Sequence, residues 1–166
     1  MSELFFIGDT HFGHKGIIKF SKTKGLRPFK TIEEHDEELV KRWNSVVSPK
    51  DDVWHLGDAV FGARNIPIIG RLNGTKRLVM GNHDIYDSHD YLKYFKRIVG
   101  AWQMDGMILT HIPVAEEQLE RYFMNIHGHL HQKVLDNWRY VNVSCEQTGL
   151  TPVPYDEIIN RWAEYN

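Results

Sequence analysis

The sequence predicts an α/β protein in which buried β-strands alternate with amphipathic helices. Short apolar runs rich in Val, Ile, Leu and Phe recur along the chain, and each ends in a polar cluster. Continuous apolar runs of about four residues are typical of strands buried on both faces. The segments between them are longer, and their apolar residues fall on one side of a helix. Ligand sites in α/β proteins favour strand ends, so the polar clusters mark the candidate functional region.

Five apolar runs are predicted strands. In four of them a glycine comes directly before the first residue proposed as a ligand, and glycine allows sharp turns and close approach of two backbones. The runs, with the polar residues that end them, are 4–11, 52–58, 77–84, 107–111 and 124–131, and the glycines are Gly8, Gly57, Gly81 and Gly128. A further run at 139–145 predicts another strand.

Helices are predicted between these strands. Amphipathic patterns indicate three of them, over 31–47, 88–98 and 155–165. The first opens with Thr31 and Glu34 at the spacing of a capping box. The segment 63–74 has Pro67 in its early part and is predicted to be a short helix followed by a turn.

The composition is that of an ordinary globular chain. With 166 residues, 42% hydrophobic and 25% charged, the chain can bury one core, and we expect a single domain over residues 1–166. A net charge of −2 argues against a general duplex-binding protein, which would be basic. The first residues lack the basic start of a signal peptide, and no apolar run approaches the ~20 residues of a membrane span. We therefore expect a soluble, cytoplasmic protein with no membrane partner.

Histidine, rather than cysteine, is the candidate metal ligand. The chain has ten histidines and one cysteine, Cys145, so neither an internal disulfide nor a site of several thiolates can form. Cys145 has no histidine nearby in sequence, and we interpret it as a buried strand residue rather than a nucleophile.

Three carboxylates and at least five histidines end the apolar runs. Such groups are costly at the ends of buried strands unless they are paired or bind a metal. They exceed the needs of one zinc site, so two metals are predicted and a mononuclear zinc hydrolase is the weaker alternative. Mixed oxygen and nitrogen ligands suit Mn²⁺, Fe, Zn²⁺, Co²⁺ or Ni²⁺ better than Ca²⁺. The residues are Asp9, His11, Asp58, Asn82, His83, Asp84, His111, His129 and His131, with His127 beside them.

The spacing of the ligand-type residues also carries information. Asp9 and His11 lie two positions apart, as do His129 and His131. On an extended segment, residues two apart project to the same side. We therefore expect each pair to point together from an extended backbone.

Five motifs, taken in order, resemble the signature blocks of the calcineurin-like metallophosphoesterases. They are D-x-H (Asp9, His11), G-D (Gly57, Asp58), G-N-H-D (Gly81 to Asp84), a lone histidine (His111) and G-H-x-H (Gly128 to His131). They span residues 8–131, and each follows an apolar run. The short chain and the segment 9–20 are most similar to the small bacterial, archaeal and phage phosphodiesterases of this family, which keeps a phage source open.

The resemblance implies a fold and a set of ligands. The fold would be two mixed β-sheets packed as a sandwich flanked by helices, in a four-layer αββα order, whereas the residue pattern alone does not distinguish a sandwich from a single sheet. One metal would be bound by Asp9, His11, Asp58 and His131. The other would be bound by Asp58, Asn82, His111 and His129, so that Asp58 bridges them. Mn²⁺ is the first expectation for both ions.

Two cations about 3.5–4 Å apart can share a hydroxide, lower its pKa and orient a phosphate for in-line attack. The chemistry predicted is therefore hydrolysis of a phosphate ester by a metal-bridging hydroxide. The leaving oxygen needs a proton, and His83, next to the ligand Asn82, is the candidate general acid. Asp84 is predicted to orient that imidazole or to raise its pKa, directly or through backbone packing.

Three more residues are candidates for substrate binding, each with a structural alternative. His14 is assigned either to phosphate at the mouth of the site or to a turn cap. Arg64 departs from the G-D-x-x-x-R-G spacing at which some relatives place a phosphate-binding arginine. For His127, a packed residue or one that hydrogen-bonds to a ligand is the favoured interpretation.

The segment 19–30 carries five basic residues and no acidic one: Lys19, Lys22, Lys24, Arg27 and Lys30. It is predicted either to form a basic border for a nucleotide or nucleic-acid end or, as the favoured alternative, to be a solvated loop. Among the remaining histidines, His55 is predicted to pack in a strand, and His35 and His89 are expected on helix surfaces or caps.

The sequence thus predicts a dinuclear metal-dependent phosphoesterase. We favour a phosphodiesterase because the chain is too short for a cap domain over a small monoester, and a phosphomonoesterase is the alternative within the family. A non-catalytic protein-binding scaffold is the alternative from another class. Such proteins usually lose a ligand or the catalytic histidine, and every block is intact here. The expected partner is a phosphate ester, with a nucleotide as one candidate and the oligomeric state left open.

Overall fold

The computed structural model describes residues 2–22 and 25–163, and the elements below belong to these ranges. The strands are β1 (Leu4–Ile7), β2 (Asp52–His55), β3 (Thr75–Val79), β4 (Arg97–Val99), β5 (Trp102–Met104), β6 (Met107–Leu109), β7 (Met124–His127), β8 (Tyr140–Asn142) and β9 (Val153–Pro154). The helices are α1 (Lys15–Lys22), α2 (Ile32–Val46), α3 (Ser88–Leu92) and α4 (Tyr155–Ala163), with 3-10 segments at Ala63–Arg71 and Glu116–Arg121.

The strands form two mixed sheets. The first has the order β4-β3-β2-β1-β9, in which β1 to β4 are parallel and β9 runs antiparallel to β1. The second has the order β5-β6-β7-β8, in which β6, β7 and β8 are parallel and β5 is antiparallel. Parallel neighbours need long crossovers, which contain helical segments except between β7 and β8, where residues 128–139 connect the strands without a helix. The predicted α/β class with two mixed sheets is confirmed.

Both faces of the first sheet are buried. Along β1, Phe5 and Ile7 point to the side covered by α2, and Phe6 points to the second sheet. The alternation repeats in β2, where Val53 belongs to the helix side and Trp54 to the sheet side. The core between the two sheets also contains Leu56, Val79, Met107, Leu109, Met124, Ile126 and Val141. Burial on both faces explains why these strands are continuous apolar runs in the sequence.

Helix α2 begins where the capping pattern predicted. The Oγ1 of Thr31 accepts a hydrogen bond from the backbone N–H of Glu34 at 3.1 Å. The Glu34 carboxylate accepts in return from the backbone N–H of Lys30 at 3.0 Å, one residue earlier than in a standard capping box. The apolar face of α2 then packs Leu39 and Trp43 on the first sheet.

The predicted helix over 88–98 is wrong in its second half. Helix α3 ends at Leu92, and residues 97–99 form β4 at the edge of the first sheet. The backbone N–H of Lys96 donates to Lys76 at the start of this pairing, and Ile98 packs on the helix-side core. An open sheet edge and two β-branched residues therefore outweigh the local helical pattern. Helix α4 ends at Ala163 within the described residues, so the last predicted residues, 164–165, lie outside them.

Strand β5 was not predicted, although the sequence contains a signal for it. Asp105 and Gly106 connect β5 to β6 with φ angles of 48° and 75°. An Asp-Gly pair with both φ angles positive is typical of a two-residue hairpin turn. In the described part of the chain, no helix combines the length and the apolar character that crossing a membrane requires.

Replacing Leu78 with Ala tests the core on the helix side of the first sheet. Leu78 lies on the interior strand β3 and is fully buried, so we expect Leu78→Ala to lower the free energy of unfolding by about 2–5 kcal/mol. The matched control is Leu92→Ala, because Leu92 is 51% exposed and should change it by less than about 0.5 kcal/mol. Urea denaturation followed by circular dichroism measures both. Equal effects of the two substitutions would contradict this packing.

Candidate metal centre and active site

All the predicted metal ligands lie on loops at one edge of the sandwich. These loops follow the carboxyl ends of parallel strands: β1, β2 and β3 of the first sheet, and β6 and β7 of the second. The carboxyl ends of parallel strands in an α/β protein share an edge, so their loops converge. The backbone N–H of Asp9 bonds to Gly57, and that of His11 bonds to Asp58, which ties the first two loops together.

The ligands form two adjacent clusters. In the first, one ligand atom from each of Asp9, His11 and His131 lies within 4.8 Å of the others. In the second, the same holds for Asp58, His111 and His129. Asn82 belongs to the second cluster, since its Oδ1 is 3.0 Å from Nε2 of His111.

Asp58 stands between the two clusters. Its Oδ2 is 3.5 Å from Nε2 of His11 and 3.4 Å from Nε2 of His111. Its Oδ1 accepts a hydrogen bond from the backbone N–H of His83 at 2.9 Å. One carboxylate oxygen thus faces imidazoles of both clusters, which is the position that a bridging ligand needs.

The hydrogen bonds leave ligand atoms directed at the two centres. Nδ1 of His111 donates to the carbonyl oxygen of Leu56 at 2.7 Å, so Nε2 is the nitrogen left to bind a cation in exchange for its proton. Nδ1 of His129 approaches that Nε2 to 3.2 Å. In the first cluster, Oδ1 of Asp9 and Nε2 of His11 are buried and have no hydrogen-bond partner among the described residues.

These residues fit two divalent cations. Buried acceptor atoms without partners are costly, and a cation between them would satisfy several at once. The donor set is nitrogen and oxygen with no thiolate, which suits a transition metal such as Mn²⁺, Zn²⁺ or Fe. The two clusters are thus candidate sites for a pair of metal ions.

The charges of the centre reinforce one another. Burial raises the pKa of Asp58, but the neighbouring His111 and His11 outweigh it and hold the pKa well below the usual range. Burial lowers the pKa of His111, but Asp58 and Asp9 raise it to about 9. Asp9 likewise has a lowered pKa because His11 offsets the effect of burial. Both carboxylates are therefore ionised at neutral pH and present negative charge to a cation.

The ligand residues adopt a left-handed backbone conformation, and this corrects the expectation of an extended segment. Five ligands have positive φ angles: Asp9 57°, His11 49°, Asp58 56°, His129 67° and His131 51°. L-residues adopt this region rarely. The pairs at two-residue spacing point at the metal centre because both members turn, and not because the chain is a strand.

Two of the predicted glycines allow the loops to touch. A Cβ on Gly81 would lie 2.5 Å from the backbone nitrogen of Asp58 and 2.9 Å from its carboxyl carbon. A Cβ on Gly128 would lie 2.5 Å from Oδ2 of Asp9 and 3.0 Å from the carbonyl oxygen of Leu56. Side-chain atoms at either position would displace a ligand.

His83 and His14 lie beside the metal centre. The ring centroid of His83 is 5.6 Å from that of His11, and the side chain is half-buried. His14 stacks on Phe61 with centroids 4.2 Å apart, and its ring is 5.4 Å from that of His11. Burial and the nearby His11, His83 and Arg27 lower the pKa of His14 to about 4. Arg64 is exposed and lines the same cleft as His14.

Comparison with known proteins agrees with this geometry. A model of the calcineurin-like phosphoesterase family matches residues 3–164. The chain belongs to this family. It is 32% identical over 170 residues to an uncharacterised protein of Methanocaldococcus jannaschii, covering 96% of this chain and 90% of that protein. The gene 66 protein of Mycobacterium phage L5 is 32% identical over 146 residues, covering 85% and 65% respectively.

A solved structure extends the comparison to bacteria. The crystal structure of a protein of unknown function from Aquifex aeolicus is 27% identical and superposes with a TM-score of 0.76, covering 96% of this chain and 99% of that one. The predicted resemblance to calcineurin-like phosphoesterases, with archaeal and phage relatives, is thus confirmed.

Asp84 supports the phosphoesterase site through the backbone. Its buried carboxylate accepts from the backbone N–H groups of Asp58, Ala59 and Gly81, at 2.7, 3.0 and 2.9 Å. The hydroxyl of Tyr91 adds a weaker contact at 3.3 Å. Asp84 therefore holds the G-D and G-N-H-D loops together and acts as a positioning residue. Its predicted link to His83 runs through the backbone and not through the imidazole.

Arg27 contributes to the phosphoesterase site in a way that the sequence did not indicate. Its guanidinium is fully buried and donates to the backbone carbonyls of Asp9 and Thr10 and to Oε1 of Glu146. It also contacts Nε2 of His35 at 2.9 Å. The prediction of a solvated loop is wrong for Arg27, which is buried, and for residues 19–22, which belong to α1. The surface position expected for His35 is wrong as well. Within 19–30, residues 23–24 lie outside the described ranges.

Glu146 forms an ion pair with the candidate ligand His131. Its Oε1 is 3.1 Å from Nδ1 of His131, whose Nε2 is 3.9 Å from Oδ1 of Asp9. Burial raises the pKa of Glu146, but His131 and Arg27 lower it to about 2. A carboxylate behind a ligating imidazole fixes its orientation and raises its basicity. The sequence could have indicated Glu146, because it directly follows the apolar run 139–145, just as the candidate ligands follow the other apolar runs.

The other histidines are structural. His127 is 1% exposed, donates to the carbonyl of Gly128 and packs on the ring of Tyr140. It does not reach the cleft, so its assignment to substrate binding was wrong and the packed alternative describes it. His55 is buried in β2, His89 is exposed in α3, and Cys145 is buried.

Replacing Gly81 with Ala tests the close contact between the ligand loops. We expect Gly81→Ala to displace Asp58 and to lower the bound metal from two ions to fewer than one per chain, since Asp58 contacts both clusters. Gly100→Ala is the matched control, because a Cβ there meets nothing within 4 Å. Metal content after dialysis is measured by plasma emission spectroscopy. Two tightly bound ions in Gly81→Ala would refute the contact.

Glu146→Gln tests the support of His131. Removing the charge while keeping an acceptor for Arg27 should weaken metal binding at the first cluster about 10- to 100-fold and leave the second unchanged. Calorimetric titration of metal-stripped protein resolves the two affinities. Glu157→Gln, at an exposed ion pair with Arg161, is the control. If both affinities fall equally, or neither falls, Glu146 does not act through His131.

Proposed function

We propose that this phosphoesterase is a phosphodiesterase with two divalent metal ions, Mn²⁺ being the first candidate. The observation that carries the proposal is the position of Asp58, whose Oδ2 lies 3.5 and 3.4 Å from imidazoles of two separate ligand clusters. A shared carboxylate supports a pair of adjacent cations.

Each cluster would hold one ion. The first ion would be held by Asp9, His11, Asp58 and His131, and the second by Asp58, Asn82, His111 and His129. When bound, such a pair supplies Lewis acidity toward the phosphoryl oxygens and a hydroxide nucleophile at neutral pH. The remaining chemistry belongs to side chains around the centre.

His83 is the residue proposed to protonate the leaving oxygen. Its backbone N–H is fixed to Oδ1 of Asp58, so the imidazole is placed relative to the bridging carboxylate. The side chain is half-buried, which gives it access to a substrate at the centre. Its ring lies 5.6 Å from that of the ligand His11, close enough to share a substrate with the metals.

The charge in direct contact with the ligand carboxylates supports a diester over a monoester, since Lys15 and Arg64 lie in the neighbouring cleft and not at these carboxylates. A monoester is a dianion near neutral pH and is usually held by added cationic side chains, whereas a diester carries one negative charge. Among the described residues, no lysine or arginine forms an ion pair with Asp9 or Asp58. Arg27, which is buried nearby, is committed to Glu146 and to backbone carbonyls.

The decisive experiment compares two chromogenic substrates. Metal-stripped protein is resupplied with Mn²⁺, Ni²⁺, Zn²⁺ or Mg²⁺ and assayed with bis(p-nitrophenyl) phosphate and p-nitrophenyl phosphate. The proposal expects metal-restored hydrolysis with a larger kcat/KM for the diester. A larger value for the monoester would identify a phosphomonoesterase. Failure of every metal with both substrates would favour a non-catalytic scaffold.

His83→Ala tests the general acid. The expected result is a fall in kcat of about 10²- to 10⁴-fold with two metal ions still bound. The control is His89→Ala, since His89 is exposed in α3, away from the ligand clusters. A substrate whose leaving group needs no proton, such as a p-nitrophenyl diester, should lose less activity than an alkyl diester. An equal loss with both would remove His83 from the role of acid.

A further inference from the structure

A cleft opens next to the metal centre. It has a volume of about 660 Å³ and is lined by residues 13–16, at the start of α1, and by residues 61–64, after the G-D block. Both segments directly follow ligand loops, which places the cleft where a group attached to the reacting phosphate would extend.

One wall of the cleft is aromatic. Phe61 is 40% exposed, although it is a large apolar residue, and it stacks on His14 at an interplanar angle of 13°. The Phe61 ring is also 6.0 Å from His83, so the wall reaches the proposed general acid. An exposed aromatic ring whose orientation is fixed by stacking on a second ring offers a surface on which a nucleobase can stack.

The other feature of the cleft is positive charge. Lys15 and Arg64 line it, both are exposed, and neither takes part in an ion pair within the described part of the chain. Exposed lysine and arginine side chains that form no ion pair attract phosphate groups. An aromatic wall with two cations, beside a centre that holds one phosphate, matches a nucleotide better than a lipid or sugar ester.

We propose that this cleft binds the nucleoside of a nucleotide phosphodiester, with the base on Phe61 and a second phosphate near Lys15 and Arg64. The inference rests on the proposed phosphodiesterase activity for the position of the first phosphate. It adds the substrate class, and it assigns Phe61 and Arg64 as specificity-determining residues.

Calorimetric titration tests the base contact without relying on turnover. The probes are thymidine 5′-monophosphate and methyl phosphate, titrated into the Mn²⁺-loaded full chain. We expect the nucleotide to bind at least about 5-fold more tightly, and Phe61→Ala to weaken it about 5- to 150-fold while methyl phosphate changes less than twofold. Phe61→Trp should restore nucleotide binding. Phe20→Ala is the control for loss of an aromatic side chain, because Phe20 is exposed on the surface of α1.

Thymidine 3′,5′-bisphosphate tests the charged side of the cleft. Its second phosphate should tighten binding relative to the monophosphate, and Arg64→Ala should remove about two- to fivefold of that gain. Arg121→Ala, exposed at the end of the second 3-10 segment, is the control. An unchanged ratio of the two affinities in Arg64→Ala would overturn this assignment.

The two proposals fail in different ways. If the nucleotide and methyl phosphate bind equally, or Phe61→Ala weakens both alike, the cleft does not bind a nucleoside even when the diester assay succeeds. If nucleotide selectivity depends on Phe61 but no diester is hydrolysed, the activity is wrong and the binding site stands.

Discussion

Asp58 is fixed by hydrogen bonds from other loops, and the whole metal centre depends on that position. Its backbone N–H donates to Asp84 and its Oδ1 accepts from the backbone of His83. These bonds leave Oδ2 to face both ligand clusters. Because the carboxylate is buried, a displacement would leave a charge without partners as well as two clusters without a shared oxygen. The parallel pairing of β1, β2 and β3 brings the three loops close enough for this arrangement.

The same loops hold their ligands in conformations that the chain would not adopt by itself. Each of the five ligands in the left-handed region costs about 1 kcal/mol or more relative to an ordinary backbone conformation. Buried networks around Arg27 and Asp84 hold the loops in place, and two apolar cores support them. Ligands fixed in this way are arranged before a cation arrives, which favours tight and selective coordination.

The sequence located the candidate ligand blocks, but the residue pattern alone did not define how the strands divide into two sheets. The five ligand blocks could be located because each polar residue follows an apolar run, and that rule holds for every predicted ligand. The sandwich could not be derived from the pattern, since a strand buried on both faces is the same run in one sheet or two. Strand β4 was missed because an edge pairing with β3, and not local propensity, decides its structure. Arg27 was missed because it lies in a segment rich in lysine, where the sequence predicts an exposed side chain. Only the fold shows that its guanidinium donates to the backbone carbonyls of a ligand loop.

The hydrogen bond between Asp9 and the backbone N–H of His129 joins residues 120 positions apart. Neither ligand cluster can assemble from one sheet alone, because Asp9 and His131 come from different sheets, as do Asp58 and His111. A cation that binds the native centre therefore holds the two sheets together and favours the folded chain by mass action. Loss of the metal would then lower the free energy of unfolding of the chain as well as abolish its activity. A nascent chain gains this stabilisation only after β7 and the loop that follows it have been made.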